Sequence, residues 1–262
     1  MLAQETQRVR EAFSRAACQY DTLAGLQEKI GERLVTMLPQ NDCDAILDIG
    51  MGTGRLTHTL SQKYAGADIF CFDFSYGMAH YAKQKYPRLN VLQADACALP
   101  FREGVFDLIV SNSAYQWIED LTGAFNQARV SLKDNGMFCA AVFTQETLNE
   151  LFCALQQASV LSTQEVLNRR RLPSAAQVED ALKASGLTNI KIERAVEKIV
   201  FGNMWDLLRW LKGLGANRMP TQFYTGKNRL FRANEYYQQH FKEGEGVFAS
   251  FEVLWLQAKK QE

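Results

Sequence analysis

Apolar residues recur at intervals of three and four over residues 5–38, the spacing of amphipathic helix. Pro39 and the polar stretch 41–44 close that region. At residue 45 the rhythm changes to short apolar runs separated by helical segments. AILDIG (45–50) reads as a strand running into MGTGRLT and then a helix to about residue 64. ADIFCFDFS (67–75) is a second strand, followed by a helix over 77–86; LNVLQADA (89–96) is a third and VFDLIVSNS (105–113) a fourth. DLTGAFNQARVSLKDNG (120–136) predicts a helix stopped at Asn135-Gly136, and 136–143 a fifth strand. Such alternation implies a mostly parallel sheet covered on both faces through right-handed crossovers.

The expected class is therefore α/β, doubly wound. Past residue 143 the alternation breaks down. Residues 146–160 look helical, NRRRLPSAAQVEDALKASGL (168–187) gives a basic loop and another helix, and 188–201 is strand-like. Residues 203–245 read as helix interrupted at 212–228, and 247–260 as an alternating final strand. Segments 144–172 and 202–246 thus interrupt the sheet order and are expected to cap its carboxyl edge. With N-terminal helices over 1–40, they belong to a single domain spanning 1–262.

Composition narrows the function. Of 262 residues 47% are apolar, and 29 Lys+Arg balance 29 Asp+Glu, so no sequence-independent pull toward nucleic acid or anionic membrane is expected. No apolar run reaches the roughly 20 residues that cross a bilayer, and the charged N-terminus lacks a signal-peptide core. The six cysteines form no CxxC pair and the three histidines are isolated, which predicts a metal-free cytosolic protein.

The chemistry concentrates in Asp48-Ile49-Gly50-Met51-Gly52-Thr53-Gly54, directly after the first strand. Its glycines allow a tight turn and let a ligand lie against bare backbone N–H groups at the next helix start. A dinucleotide fingerprint is GxGxxG; here the third glycine comes one residue early and Arg55 holds the expected place, which favours S-adenosylmethionine over a pyrophosphate. Asp73 ends the second strand, where a carboxylate accepts ribose hydroxyls. Asp95 ends the third, where it can take an adenine amino group while Ala96 backbone reads the ring edge. Each acid alone is more often a helix N-cap or turn residue, but ligand-type residues at successive strand ends line the binding crevice of an open α/β sheet.

This pattern resembles the class I S-adenosylmethionine-dependent methyltransferases. The resemblance implies seven strands with the last pair antiparallel to the rest. It also implies that Gly50, Gly52 and Gly54 carry the methionine end, Asp73 the ribose and Asp95 with Ala96 the adenine, and that Asp48 and Tyr20 belong to the donor site as well. Phe74 and Met78 would pack on the adenine, and Ser111 or Asn112 would touch the methionine amino group. Within that family, FSRAACQYDTLAGLQ (13–27), SNSAYQW (111–117), FTQETLNEL (143–151) and WLKGLGAN (210–217) resemble the carboxyl O-methyltransferases of biotin synthesis that act on malonyl-acyl carrier protein. Thr144 stands where a glycine is common, and Met51 where a cysteine is.

The implied reaction methylates the free carboxylate of a malonyl thioester, on carrier protein or as malonyl-CoA. A carboxylate is already ionised at pH 7, so no general base is required and no catalytic residue is assigned. Tyr20, Tyr115, Gln116, Trp117, Arg209 and Lys212 are candidates for the acceptor pocket; core packing or a solvated helix face would account for them too. Arg169, Arg170 and Arg171 in the first insertion, with Lys227, Arg229 and Arg232 in the second, would meet an acidic carrier protein. The open alternatives are a methyltransferase of free acids or quinones, a non-catalytic binding protein and a nicotinamide oxidoreductase. A C-methylase would need a base near residues 112–117, where no His or acid precedes Glu119.

Overall fold

The computed structural model describes residues 2–158, 172–216 and 227–261. Its sheet comprises β1 (Ala45–Ile49), β2 (Asp68–Asp73), β3 (Asn90–Gln93), β4 (Phe106–Asn112), β5 (Leu132–Phe143), β6 (Thr188–Phe201), β7 (Lys242–Glu243) and β8 (Gly246–Lys259). The order is β3-β2-β1-β4-β5-β8-β6, with the two-residue β7 paired to β8. Strands β1 to β5 are mutually parallel. Ile46, Leu47, Asp48 and Ile49 are all buried, as expected of a central strand covered on both faces.

Helices α1 (Leu2–Leu23) and α2 (Gly25–Met37) break at Ala24; α3 (Arg55–Lys63), α4 (Tyr76–Lys85) and α5 (Leu121–Ser131) follow β1, β2 and β4. Then come α6 (Asn149–Gln157), α7 (Ala175–Ala184), α8 (Met204–Gly213) and α9 (Lys227–His240). One face of the sheet packs α2, α6, α8 and α9 through Ile30, Leu34, Leu155, Leu207, Tyr237 and Trp255. The other packs α5 and α7 through Phe125, Phe138, Leu182 and Leu256.

Two expectations are corrected. Among the described strands only β8 runs against the rest: it is antiparallel to both β5 and β6, so β6 is parallel to β5. Helix α7, between β5 and β6, lets the chain re-enter the sheet in the same direction. Helix α5 ends at Ser131 rather than at Asn135-Gly136. Leu132 is fully buried and pairs with Phe106, and Lys133 binds Asp107, whose carboxylate also accepts the Asp44 and Ala45 N–H groups. The left-handed Asn135 (φ 63°) is a turn inside β5, where the register shifts, not a helix stop.

Helix α1 crosses the carboxyl ends of the strands. Ser14 Oγ lies 2.8 Å from Ser75 Oγ and accepts the Gly77 N–H at 3.2 Å. On its other side Gln19 donates to Gly213 O and Trp210 Nε1 to Leu23 O, so α1 is clamped between α4 and α8. A Cβ on Gly77 would sit 2.6 Å from the Ser14 backbone. Gly77→Ala is therefore expected to destabilise by about 1–3 kcal/mol and to speed hydrogen exchange over residues 6–20 while β4 and β5 stay protected. Unchanged exchange in α1 would contradict this account of its packing.

Candidate functional site

The glycine turn hangs between the ends of β1 and β2. Gly50 and Met51 N–H both donate to Phe72 O, at 2.9 and 3.0 Å, and Gly52 N–H donates to Asp73 Oδ2 at 2.9 Å. Gly50 has φ 72°, and a Cβ there would lie 2.3 Å from Ala114 Cβ, so the turn after β4 presses on it. Gly52 (φ 57°) has nothing within 4 Å of its would-be Cβ, leaving bare backbone open to a ligand.

Asp73 Oδ1 accepts the Ser75 N–H at 2.7 Å. Burial pushes its carboxyl up to about 6, against the opposing pull of its two backbone donors. Asp48 is fully buried; its Oδ2 accepts from Thr57 Oγ1 at 2.6 Å and its Oδ1 has no partner. Burial raises it to about 7.

A cavity of about 520 Å³ opens at these strand ends, within the ~300–1,000 Å³ range of small-molecule sites. Gly50, Gly52 and Asp73 line it, with Phe74, Met78, Asp95 and Ala96 along one stretch. Tyr20, Asn112 and Trp117 line it as well. Helix α1 roofs it: Phe13 packs edge-on against Trp117 (5.5 Å) and Tyr20 (6.4 Å), and the Arg10 guanidinium lies 5.3 Å over the Phe74 ring.

The remaining sequence candidates lie elsewhere. Gly54 faces Tyr86, Ala82 and Leu89, and Asp48 lines a smaller neighbouring cavity of about 150 Å³. Ser111 is buried and donates to Ile49 O. Tyr115 is buried, stacked on Phe125 at 4.8 Å, and Gln116 is buried with Nε2 donating to Ser113 O at 2.7 Å. Arg209 is exposed and paired with Asp206, and Lys212 is exposed in the last turn of α8. Arg229 and Arg232 are exposed on α9, which Lys227 begins; Arg169, Arg170 and Arg171 lie outside the described residues.

Sequence reasoning named Tyr20 of α1 but missed four other residues of that helix that line the cavity, Thr6, Val9, Arg10 and Phe13. Their spacing was visible as the stripe of an amphipathic helix, but nothing local says that the stripe faces a cavity. Ser113, Glu119 and Asp120 also line the wall; Ser113 is left-handed (φ 58°), a conformation uncommon for non-glycine residues.

The raised carboxyls fix the sign of a pH dependence. In the folded protein Asp48 and Asp73 hold a proton more tightly than an unfolded chain does near 3.8, so their stability contribution is present at low pH and lost as pH rises through about 6 to 7. A ligand that donates hydroxyls to ionised Asp73 does the reverse. With Asp73 in the ribose-holding role that the resemblance implies, S-adenosylmethionine affinity is expected to fall roughly tenfold per unit below the Asp73 value, by calorimetry, and to flatten in Asp73→Asn. Tight binding independent of pH from 5 to 8 would contradict this role for the carboxylate.

A methyltransferase-domain family profile matches residues 47–140. The malonyl-acyl carrier protein O-methyltransferase of Geobacter sulfurreducens is 32% identical over 98% of this chain and 99% of its own. That of Hahella chejuensis is 34% identical over 96% and 89%. Among solved structures, the YcgJ protein of Bacillus subtilis superposes with a TM-score of 0.61 at 18% identity, covering 90% of this chain and 99% of that one. With identity of this level over nearly the whole of both chains, the protein belongs to the malonyl-acyl carrier protein O-methyltransferases, a family of S-adenosylmethionine-dependent enzymes built on the doubly wound α/β fold.

Proposed function

We propose that the protein transfers the methyl group of S-adenosylmethionine to the free carboxylate of a malonyl thioester, carried by acyl carrier protein or coenzyme A. The methyl ester would prime pimeloyl and biotin synthesis in the cytoplasm. The observation that carries this reading is one cavity joining Gly50, Gly52, Asp73 and Asp95 to the aromatic wall of Phe13, Tyr20 and Trp117.

The residues present fit the donor: an open backbone cradle at Gly52, a carboxylate at Asp73 for ribose hydroxyls, and Phe74, Met78 and Asp95-Ala96 for adenine. When bound, S-adenosylmethionine supplies an electrophilic sulfonium methyl. Tyr20 and Trp117 would orient the acceptor, while Tyr115 and Gln116, buried beneath the Ser113–Trp117 turn, would hold that turn in shape. An ionised carboxylate needs no base. Two opposite charges vanish as it reacts, so alignment and exclusion of water by the α1 roof are the useful contributions.

Segments 144–172 and 202–246 would act as the cap. Its cations Arg169, Arg170, Arg171, Arg209, Lys212, Lys227, Arg229 and Arg232 would meet the acidic carrier protein. Glu119 on the cavity wall favours a second reading, a C-methylase of a quinone, because it supplies a base within the cavity.

Intact-mass spectrometry separates these readings. One methyl group added to malonyl-acyl carrier protein, with little on succinyl-acyl carrier protein and none on a quinone, is the expected result. Methylation of the quinone alone would overturn it. Trp117→Ala is expected to lower kcat/KM on the order of 10²-fold through misplacement of the acceptor, with donor affinity retained.

A further inference from the structure

The turn that ends α8 presses directly on the helix that roofs the cavity. Leu214 is buried, with its N–H on Trp210 O at 3.0 Å. Gly215 is buried as well, left-handed at φ 74°, and donates to Lys212 O at 3.2 Å. A Cβ on Gly215 would lie 2.9 Å from Ala12 O and 3.1 Å from Phe13 N, both backbone atoms of α1. A Cβ on Gly213 would collide with Leu23 Cδ1. Both glycines are therefore needed for this close approach, one near the middle of α1 and one at its end.

These contacts share one face of α1. Ala12, Gln19 and Leu23 are spaced by seven and four residues, which puts them in a single stripe. Ala12 meets Gly215, Gln19 donates to Gly213 O, and Leu23 O accepts from Trp210 Nε1. Phe13 follows Ala12 by about 100° of helix rotation, and it turns from that stripe into the cavity. There its ring meets Trp117 at 5.5 Å and Tyr20 at 6.4 Å. Ser14, one step further round, is held by Ser75 and Gly77 at the start of α4. The helix is thus gripped on both flanks of the face that carries Phe13, which fixes its rotation and its distance from Trp117.

We propose that Gly213 and Gly215 are positioning residues that set the chain length of the acceptor. By fixing α1 at Ala12 and Leu23 they hold Phe13 against Trp117, and the space this wall leaves fits the carboxylate of a malonyl thioester and excludes that of its homologue one methylene longer. The inference rests on the reading of the Phe13–Tyr20–Trp117 wall as the acceptor side. A methyl group at residue 215 would force α1 back by about 0.5–1 Å to regain ordinary van der Waals contact, enough to spoil the fit of a reacting group.

Rates on malonyl- and succinyl-acyl carrier protein test it, because both acceptors arrive on the same carrier and the ratio of their kcat/KM values cancels docking. In the unaltered protein the extra methylene is expected to cost about 10- to 200-fold. Gly215→Ala and Gly213→Ala should each lower that ratio about tenfold. Their S-adenosylhomocysteine affinity should stay within about twofold by calorimetry, since Gly52, Asp73 and Asp95 stand on the sheet ends, away from the turn. Adding Leu23→Ala to Gly213→Ala removes the colliding Cδ1 and should restore the ratio; this pair decides the matter if Gly215→Ala does not fold. Both activities lowered alike, with the ratio unchanged, would mean that the turn only supports the fold. No rescue by Leu23→Ala would mean that Gly213 does not act through α1. Either result overturns the proposal. Failure of the unaltered protein to methylate malonyl-acyl carrier protein would instead remove the acceptor reading, and this inference with it.

Discussion

The bond from Gly52 N–H to Asp73 Oδ2 is the constraint on which the site depends. It closes the turn after β1 onto the end of β2, beside the two N–H groups of Gly50 and Met51 that share Phe72 O. A partly buried carboxylate at a cavity wall stays close to ionisation because backbone donors hold it. Two N–H groups use part of its accepting capacity, and each carboxylate oxygen has about two lone-pair sites, so Asp73 keeps acceptors for a ligand in the cavity it lines. The same turn brings Gly50 against Ala114 and so fixes the post-β4 segment. Three strand ends are thus registered on one another before any ligand arrives.

Helix α1 covers part of this open crevice. It is tied to α4 through Ser14 and to α8 through Gln19 and Leu23. Near its end, Asp21 accepts from Thr53 of the glycine turn at 2.6 Å and pairs with Lys85 of α4. Those charges hold the Asp21 carboxyl below the usual carboxylate range, although burial opposes them. The roof of the cavity, its floor and the second insertion therefore meet through one helix. A displacement of α1 would alter the cavity it lines and α8 together.

Much of this was legible in the sequence. The strands β1, β4 and the second half of β5 announced themselves as short apolar runs because burial on both faces removes alternation, and the glycine spacing with Asp73 and Asp95 pointed to a ligand at the strand ends. What stayed hidden depends on distant partners. The early end of α5 is set by Leu132 and by Lys133 reaching Asp107, 26 residues away. The direction of β6 is set by chain path, and its alternating pattern would read the same either way. Arg209 and Lys212 share α8 with apolar residues that pack inward, and periodicity alone could not tell that both face solvent. The α1 wall was visible as a stripe, but its target was not.

On the proposed function, a single cavity under α1 takes both the methyl donor and the carboxylate acceptor. A crystal structure of the protein with S-adenosylhomocysteine tests it most directly. The account predicts the ribose hydroxyls on Asp73, the adenine beside Phe74, Met78 and Asp95, and the sulfur turned toward Tyr20 and Trp117 beneath α1. A ligand seated away from Asp73, or a sulfur facing away from the Phe13–Tyr20–Trp117 wall, would contradict it.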